Sequence, residues 1–303
     1  MQMLRAAILL VSIPVCAQAG SVKLVAEFDL NPLGVKVPPS GDVSRTSIEI
    51  LFLSDSDLVL LDSNNPSDGR RDTKLALYEI GGGIARLKTL VSSVEGFVPI
   101  SVAGPQPVRA LERIDSEHFA YWTYLGKAHR WLCDENLNCK EDKEERIAGP
   151  IPHAVNCDPN DFLGYANPQR AVCLAPGAHT KWSAVVTDLA GHRLYEVEHE
   201  AMRWDALMVN SVQGRRFGLV WGSNTFIQLL KPFACFDECP PAGRQQFVVF
   251  DSDDGEMVQS FGWDPRPYNL YVLPGLSPSG RMAAFVMKDK LVVYLLELPS
   301  WWF

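Results

Sequence analysis

The stretch Tyr271–Pro299, which reads YVLPGLSPSGRMAAFVMKDKLVVYLLELP, decides the fold. Its apolar start is followed by a turn of small residues, Ser277–Gly280, and then by an apolar strand, Met282–Met287. A charged turn, Lys288–Lys290, separates that strand from a second one, Leu291–Leu298. Short apolar runs joined by turn residues are typical of consecutive antiparallel strands. This stretch therefore predicts one unit of an all-β protein.

Weaker copies of this unit recur along the chain, and few segments show the 3.6-residue period of a helix. Four groups of about four short strands precede the quoted stretch, and units of roughly 50–60 residues with about four strands each are typical of propeller blades. The sequence predicts an all-β fold, a β-propeller of about five four-stranded blades, with six or seven blades as alternatives. The predicted strands of these four groups are Ile48–Leu53, Leu58–Asp62, Leu75–Ile80 and Ala85–Val91; Val108–Ile114, Phe119–Leu125, Ala128–Cys133 and Lys140–Ile147; Phe162–Tyr165, Arg170–Leu174, Trp182–Leu189 and Arg193–His199; and Ala206–Val209, Phe217–Trp221, Phe247–Asp251 and Met257–Phe261.

The fifth group has only three predicted strands, which are Tyr268–Leu273, Met282–Met287 and Leu291–Leu298. Near the other end of the chain, Ser21–Leu30 is a β-prone run with no neighbouring strand to pair with. An isolated strand cannot bury a face by itself. We therefore expect Ser21–Leu30 to pair beside Leu291–Leu298. There it would complete the fifth blade and close the ring, so that no strand edge is left exposed.

Two motifs resemble a known family. Leu276–Phe285 (LSPSGRMAAF) resembles the L-S-P-D-G-K-x-x-A-F signature of WD40-like repeats in exported bacterial propellers, including the TolB type, although Ser279 replaces the usual Asp. Phe250–Gly255 resembles the D-x-x-[TD]-G turn between the outer strands of such blades. The resemblance implies a propeller that binds proteins or ligands, and does not by itself imply an enzyme.

The first 19 residues have the pattern of a secretory signal peptide. They carry one charge, Arg5, then an apolar run, Ala6–Val15, and end in Ala17-Gln18-Ala19. We predict cleavage after Ala19, with a lipidated Cys16 as the alternative, and a single propeller domain over 20–303. No later run is long and apolar enough to span a bilayer, so we predict no membrane span and a secreted or periplasmic location.

The predicted mature chain is acidic. Loss of Arg5 leaves 27 Lys and Arg against 36 Asp and Glu, a net charge of −9. With no basic stretch, this charge argues against nucleic acid as a partner.

Six cysteines remain after the predicted cleavage. An even count in an exported chain favours disulfides, and pairing of sequence neighbours is the simplest arrangement. Metal binding is the alternative, but no Cys-x-x-Cys spacing is present. The predicted pairs are Cys133/Cys139, Cys157/Cys173 and Cys235/Cys239.

Candidate chemistry is sparse. Ser277 lies in an approximate nucleophile elbow, but Pro278 follows it and has no N–H for an oxyanion hole, so we predict a turn. Asp251–Glu256 is rich in carboxylates, but its Gly255 is one position early for a calcium loop, and an Asp-Gly hairpin turn explains the same residues. The six histidines show no metal-binding spacing. We assign no catalytic, cofactor-binding or metal-binding residue.

Two further stretches have alternative interpretations. Cys133–Arg146 contains charges of both signs. This mixture favours a disulfide-linked hairpin exposed to solvent over a partner-binding loop. Trp301–Phe303 is interpreted as a tail packed on the propeller, with an exposed docking tag as the alternative.

The function predicted from the sequence is an exported, non-catalytic propeller that binds a protein or glycan. The alternatives are a propeller enzyme with a central-channel site, such as a lactonase-like metal hydrolase or a lyase, and a structural module of a cell-surface assembly.

Overall fold

The structure, a computed structural model, describes 14 ranges of the chain. They are 22–33, 45–65, 72–81, 84–93, 111–115, 117–124, 128–142, 162–176, 182–201, 207–210, 214–222, 245–263, 270–287 and 289–296.

The described residues form five sheets arranged as the blades of a propeller, as the sequence predicted. Blades I to IV each use consecutive strands, and blade V combines strands from both ends of the chain. Asn31–Leu33 form a 3-10 turn. The strands are β2 (Arg45–Phe52), β3 (Asp57–Asn65), β4 (Asp72–Gly81) and β5 (Ile84–Ser93) in blade I; β6 (Leu111–Arg113), β7 (His118–Tyr124), β8 (Ala128–Asp134) and β9 (Cys139–Asp142) in blade II; β10 (Phe162–Asn167), β11 (Arg170–Pro176), β12 (Trp182–Asp188) and β13 (Arg193–Ala201) in blade III; β14 (Leu207–Asn210), β15 (Arg216–Gly222), β16 (Gln245–Asp251) and β17 (Met257–Trp263) in blade IV; and β1 (Val22–Asp29), β19 (Gly275–Leu276), β20 (Met282–Met287) and β21 (Lys290–Leu296) in blade V, with β18 (Leu270–Leu273) beside β2.

The hydrophobic core lies between the blades, so the middle strands are buried on both faces. In β3, Leu58 and Leu60 pack in the cluster shared with blade V, while Val59 and Leu61 pack in the cluster shared with blade II. Successive side chains of a strand point to opposite faces, so a strand between two blades needs apolar residues at every position. This burial explains why the middle strands read as continuous apolar runs rather than alternating ones.

The N-terminal strand completes blade V, which confirms the predicted closure. β1 pairs antiparallel with β21, from Val22 opposite Leu296 to Asp29 opposite Lys290. Its apolar residues Ala26 and Phe28 are buried between blades V and I. The ring is therefore closed by a strand that is distant in sequence.

One predicted strand of blade V is corrected. The sequence placed Tyr268–Leu273 as the inner strand of that blade, but Leu270–Leu273 pairs in parallel with β2 of blade I. Of the residues 270–276, Gly275 and Leu276 pair with β20. Pro274 separates the two pairings, and proline has no N–H for either ladder. The inner strand of blade V is therefore divided between two blades.

The connections give the propeller two unlike ends. We call the turn end the one where the first strand of a blade meets the second and the third meets the fourth. No connection there is longer than five residues. The opposite end, the long-connection end, is where the strands that flank 94–110, 143–161 and 223–244 stop. Those segments lie outside the described residues.

Candidate binding surfaces at the two ends of the propeller

Polar side chains build the tight turns of the turn end. In blade II, Asp115 Oδ1 accepts hydrogen bonds from the backbone N–H groups of Glu117 and His118, at 2.7 and 2.8 Å. In blade I, Ser54 Oγ accepts from the N–H groups of Ser56 and Asp57, both at 3.0 Å. Ser, Asn and Asp commonly close turns in this way. These polar groups are therefore committed to holding the backbone.

Ser277 has the same role in blade V. Its hydroxyl accepts from the N–H of Met282 at 3.1 Å, and its own N–H donates to Met282 O at 2.9 Å. The side chain is fully buried. Ser277 is therefore a turn residue, in agreement with the interpretation from sequence. The equivalent turns of blades I and II are also closed by a backbone bond and a side-chain acceptor, but residues 53–56 and 114–117 contain no proline or glycine, which is why the sequence motif was not recognised there.

Hydrogen bonds at the turn end join neighbouring blades. Arg113 of blade II donates to Phe52 O of blade I at 3.0 Å. The N–H of Ser279 in blade V donates to Asp55 of blade I at 3.1 Å. Such bonds to backbone and turn groups fix the blades relative to one another.

A second group of bonds, centred on Ser252, joins blades III and IV. Ser252 is buried, and its carbonyl accepts from Arg170 Nη1 and, at 2.7 Å, from the Tyr195 hydroxyl. Its own hydroxyl donates to Gly214 O. Burial raises the pKa of Tyr195 to about 12, so Tyr195 is a neutral donor at physiological pH. The turn end between these blades is a fixed framework.

The acidic turn that follows β16 is a hairpin turn. The Gly255 N–H donates to Asp251 O at 3.0 Å, and Gly255 has a φ of 77°, which glycine adopts readily. The carboxylates of Asp251 and Asp254 accept from the N–H groups of Asp253 and Glu256, both at 2.8 Å. Burial raises the pKa of Asp251. This is the Asp-Gly turn that the sequence favoured over a calcium loop.

Two of the six histidines can be placed with their partners. His118 Nδ1 lies 3.0 Å from Asp115, and His192 Nδ1 lies 2.8 Å from Asp188. They belong to turns of different blades, II and III. Within the described ranges, no three His, Cys, Asp or Glu side chains come together as a metal site requires. His153 and His179 lie outside these ranges, and the side chains of His129 and His199 are not described.

One cysteine pair is visible in full. Cys133 and Cys139 are disulfide-bonded and face each other across the β8–β9 hairpin. Cys173 is also disulfide-bonded. Because Cys157, Cys235 and Cys239 lie outside the described residues, the other two pairings stay predictions.

The described part of the charged run Cys133–Arg146 is the β8–β9 hairpin. Asp134 accepts hydrogen bonds from the backbone of Asn136 and Asn138, both at 2.9 Å, and Arg130 pairs with Asp142 at 2.8 Å. These contacts hold the hairpin itself. The signal segment 1–19 and the tail Trp301–Phe303 lie outside the described residues.

One buried carboxylate lies between the inner strands of two neighbouring blades. Glu49 of β2 is buried, and its Oε2 accepts from the N–H of Leu111 in β6 at 2.9 Å. It thereby links the inner strands of blades I and II. Sequence reasoning missed Glu49, because an acidic residue in an apolar run gives no sign of which backbone group it will bind.

Comparisons with known proteins assign neither a family nor a function to the chain. No protein-family model and no curated protein matches the chain. Similar solved structures include TolB from Acinetobacter baumannii (10% identity, 84% of this chain and 54% of that one, TM-score 0.26). Others are the catalytic domain of a GH62 α-L-arabinofuranosidase from Coprinopsis cinerea (10% identity, 85% and 98%, TM-score 0.33) and a gluconolactonase from Xanthomonas campestris (11% identity, 93% and 99%, TM-score 0.28). The chain spans about half the length of the Acinetobacter TolB. At these TM-scores none of the three likenesses carries an argument about this chain.

The strands account for nearly all of the regular structure. Within the ranges that the structure describes, no helix has the length and apolar character to cross a membrane.

Proposed function

We propose that this chain is an exported β-propeller that acts as a non-catalytic platform, and that it binds a protein or a glycan at its long-connection end. The observation that carries the proposal is the difference between the two ends. At the turn end, connections of at most five residues commit their polar groups to their own backbone and to neighbouring blades. Binding residues are more often found on longer loops held by a rigid scaffold.

The disulfide supports export. Cys133 and Cys139 are bonded, and such bonds persist in oxidising compartments and are rare in the cytosol. The predicted signal peptide would direct the chain to export from the cytosol. A mass measurement of the exported protein without reductant tests both points, with cleavage after Ala19 and six fewer hydrogens as the expected result. Retention of the first 19 residues with free thiols would contradict this part of the proposal.

The site of binding can be tested by cross-linking from two positions. A photoreactive residue at Met287, which is exposed at the long-connection end, should capture the partner in cells. The same residue at Glu135, exposed in a turn-end connection of blade II, is the matched control. Adducts from Met287 alone support the proposal, whereas adducts from Glu135 alone place the partner at the other end.

A direct assay distinguishes the enzyme alternative from the proposed non-catalytic binding function. A central-channel enzyme would draw on inner-strand side chains, of which Glu49 is a buried carboxylate already bonded to the Leu111 N–H. Lactone hydrolysis by the mature protein, with and without added calcium or zinc, is the assay. Turnover that is lost in Glu49→Gln at unchanged melting temperature would overturn the non-catalytic proposal.

A further inference from the structure

Exposed apolar side chains gather at the outer edge of the turn end, between blades III and IV. Leu189, Leu194 and Met257 are 39%, 46% and 54% exposed, and we call them the outer patch. They are three of the eight large apolar side chains that are exposed in the described part of the chain. Single exposed apolar residues are normal, but a group of them at one place marks a candidate contact surface.

Strand pairing brings these side chains to one region. Leu194 is the extra residue of a bulge, because its neighbours Arg193 and Tyr195 pair with consecutive residues of β12. Met257 pairs with Phe250, which packs in the same cluster as Tyr195. Leu189 belongs to the turn that leads into β13. Tyr195, which follows Leu194 in β13, therefore packs in the same cluster as the β16 partner of Met257.

The outer patch is held by fixed groups. The Tyr195 hydroxyl donates to Ser252 O at 2.7 Å, and the Tyr195 ring packs against Gly255 so closely that a Cβ there would lie 2.6 Å from it. Arg170 binds Asp253 at 3.0 Å across the same blade junction. A surface that is already ordered loses little conformational entropy when a partner binds.

The charge around the outer patch is negative. Asp254 and Glu256 are exposed and have no cationic partner within the described residues, and Asp188 is bonded to His192. The arginines in this region are already paired, Arg170 with Asp253 and Arg193 with Glu196. A third arginine, Arg215, is exposed and lies beside this turn, because its carbonyl oxygen accepts from the Ser252 N–H at 3.0 Å, but this one cation faces two carboxylates, Asp254 and Glu256. A partner would therefore meet apolar side chains beside unneutralised carboxylates.

We propose that the outer patch docks a cationic amphipathic segment of a partner protein. The apolar side of that segment would cover Leu194 and Met257, and its Lys or Arg side chains would face Asp254 and Glu256. Complementary charge of this kind speeds association and gives specificity, while the apolar contact supplies much of the affinity. This surface is separate from the long-connection end and does not depend on the function proposed for it.

The test uses the full mature protein and a defined probe. A fluorescent amphipathic helix of leucine and lysine is titrated against wild type, against Leu194→Ser/Met257→Ser, and against Leu87→Ser/Met287→Ser. Leu87 and Met287 are also exposed, at 44% and 37%, but lie on other blades. Because all four side chains are exposed, each variant should keep the wild-type melting temperature, which a thermal scan verifies.

We expect the patch variant to weaken binding about tenfold and the control variant to bind like wild type. Asp254→Asn/Glu256→Gln should also weaken binding and flatten its dependence on salt, since Asn keeps the acceptor that the turn needs. Equal binding by the patch and control variants would overturn the proposal, and so would equal binding of a leucine–glutamate helix. A wild-type dimer in sedimentation that the patch variant abolishes would instead assign this surface to a second copy of the chain.

Discussion

At the scale of single residues, Gly275 shows how closely the inner strands approach. A Cβ at this position would lie 2.9 Å from Ile50 Cγ2 and 3.0 Å from the Ile50 carbonyl oxygen of the neighbouring blade. Real Cβ atoms essentially never lie closer than 3.0 Å to another heavy atom, and the Ile50 carbonyl is backbone that cannot rotate away, so the two strands must shift. We expect Gly275→Ala to lower the free energy of unfolding by about 1–3 kcal/mol, measured by urea denaturation.

Gly81→Ala is the matched control for that change. A Cβ at Gly81 would first meet a flexible side-chain atom of Glu79 at 3.6 Å, an ordinary contact distance. It should leave stability nearly unchanged. Equal effects of the two substitutions would contradict the close approach of the inner strands of blades V and I.

Arg216 is a buried cation that joins two blades. It is 4% exposed, and its Nη1 donates to Gly280 O of blade V at 2.7 Å. Burial lowers the pKa of Arg216, while the nearby Asp251 opposes that change. Arg216→Met leaves a carbonyl unsatisfied and a partly buried carboxylate without its cation, so we expect a loss of about 1–3 kcal/mol in urea unfolding.

The neighbouring Arg215 gives the comparison for Arg216. It is exposed, so Arg215→Met should change the free energy of unfolding by less than about 0.5 kcal/mol. If Arg215→Met were as destabilising as Arg216→Met, the effect would come from net charge rather than from the bond to Gly280.

At the scale of elements, β1 has one half that is buried and one that is exposed. Phe28 is 6% exposed and its ring packs edge-on against Tyr78 of blade I at 4.9 Å, whereas Leu24 is 47% exposed. We expect Phe28→Ala to cost about 3–5 kcal/mol of the free energy of unfolding, measured by urea denaturation. Leu24→Ala on the same strand should cost far less, and a similar cost for both would contradict the packing of β1 between blades V and I.

The elements also show what sequence could predict. Leu58–Leu61 in β3 and Met282–Met287 in β20 are apolar on both faces, so burial between blades made them recognisable as strands. The three-stranded fifth group and the unpaired Ser21–Leu30 together predicted the closure. The division of the inner strand at Pro274 was missed, since the pairing of Leu270–Leu273 with β2 depends on blade I, which adjoins blade V in the ring but is distant from it in sequence.

The candidate site was less predictable than the fold. Ser277 and Asp251–Glu256 were identified as turns because Pro and Gly restrict the local backbone to few conformations. Glu49 and Arg216 bind backbone groups of other blades, and the outer patch is assembled from two blades. Contacts of this kind depend on tertiary structure, so no local spacing indicates them.

At the scale of the whole molecule, the turn end makes stability depend on pH. The pKa values of Asp115, Asp134 and Asp188 are all lowered, mainly by hydrogen bonds from Glu117, Asn138 and His192 respectively. A carboxyl with a lower pKa in the folded state stabilises the fold above its unfolded pKa of about 4 and loses that contribution as pH falls through the folded pKa.

We therefore expect the free energy of unfolding to fall as the pH drops below about 4, measured by urea denaturation at a series of pH values. Asp251, whose pKa is raised by burial, changes in the opposite direction and offsets part of the loss. Replacement of all three aspartates by asparagine should make the free energy of unfolding fall less steeply at acid pH. An unchanged pH dependence in that variant would show that other carboxyls cause the loss of stability.

The central claim is that a strand from the start of the chain closes a five-bladed ring. Its most direct test compares the thermal unfolding of the chain 20–303 with that of a shortened chain that lacks residues 20–30. The account predicts that the shortened chain loses its cooperative transition, and that a synthetic peptide of residues 20–33 restores it while the same peptide with Phe28→Asp does not. A shortened chain that unfolds cooperatively at the original melting temperature would contradict the closure.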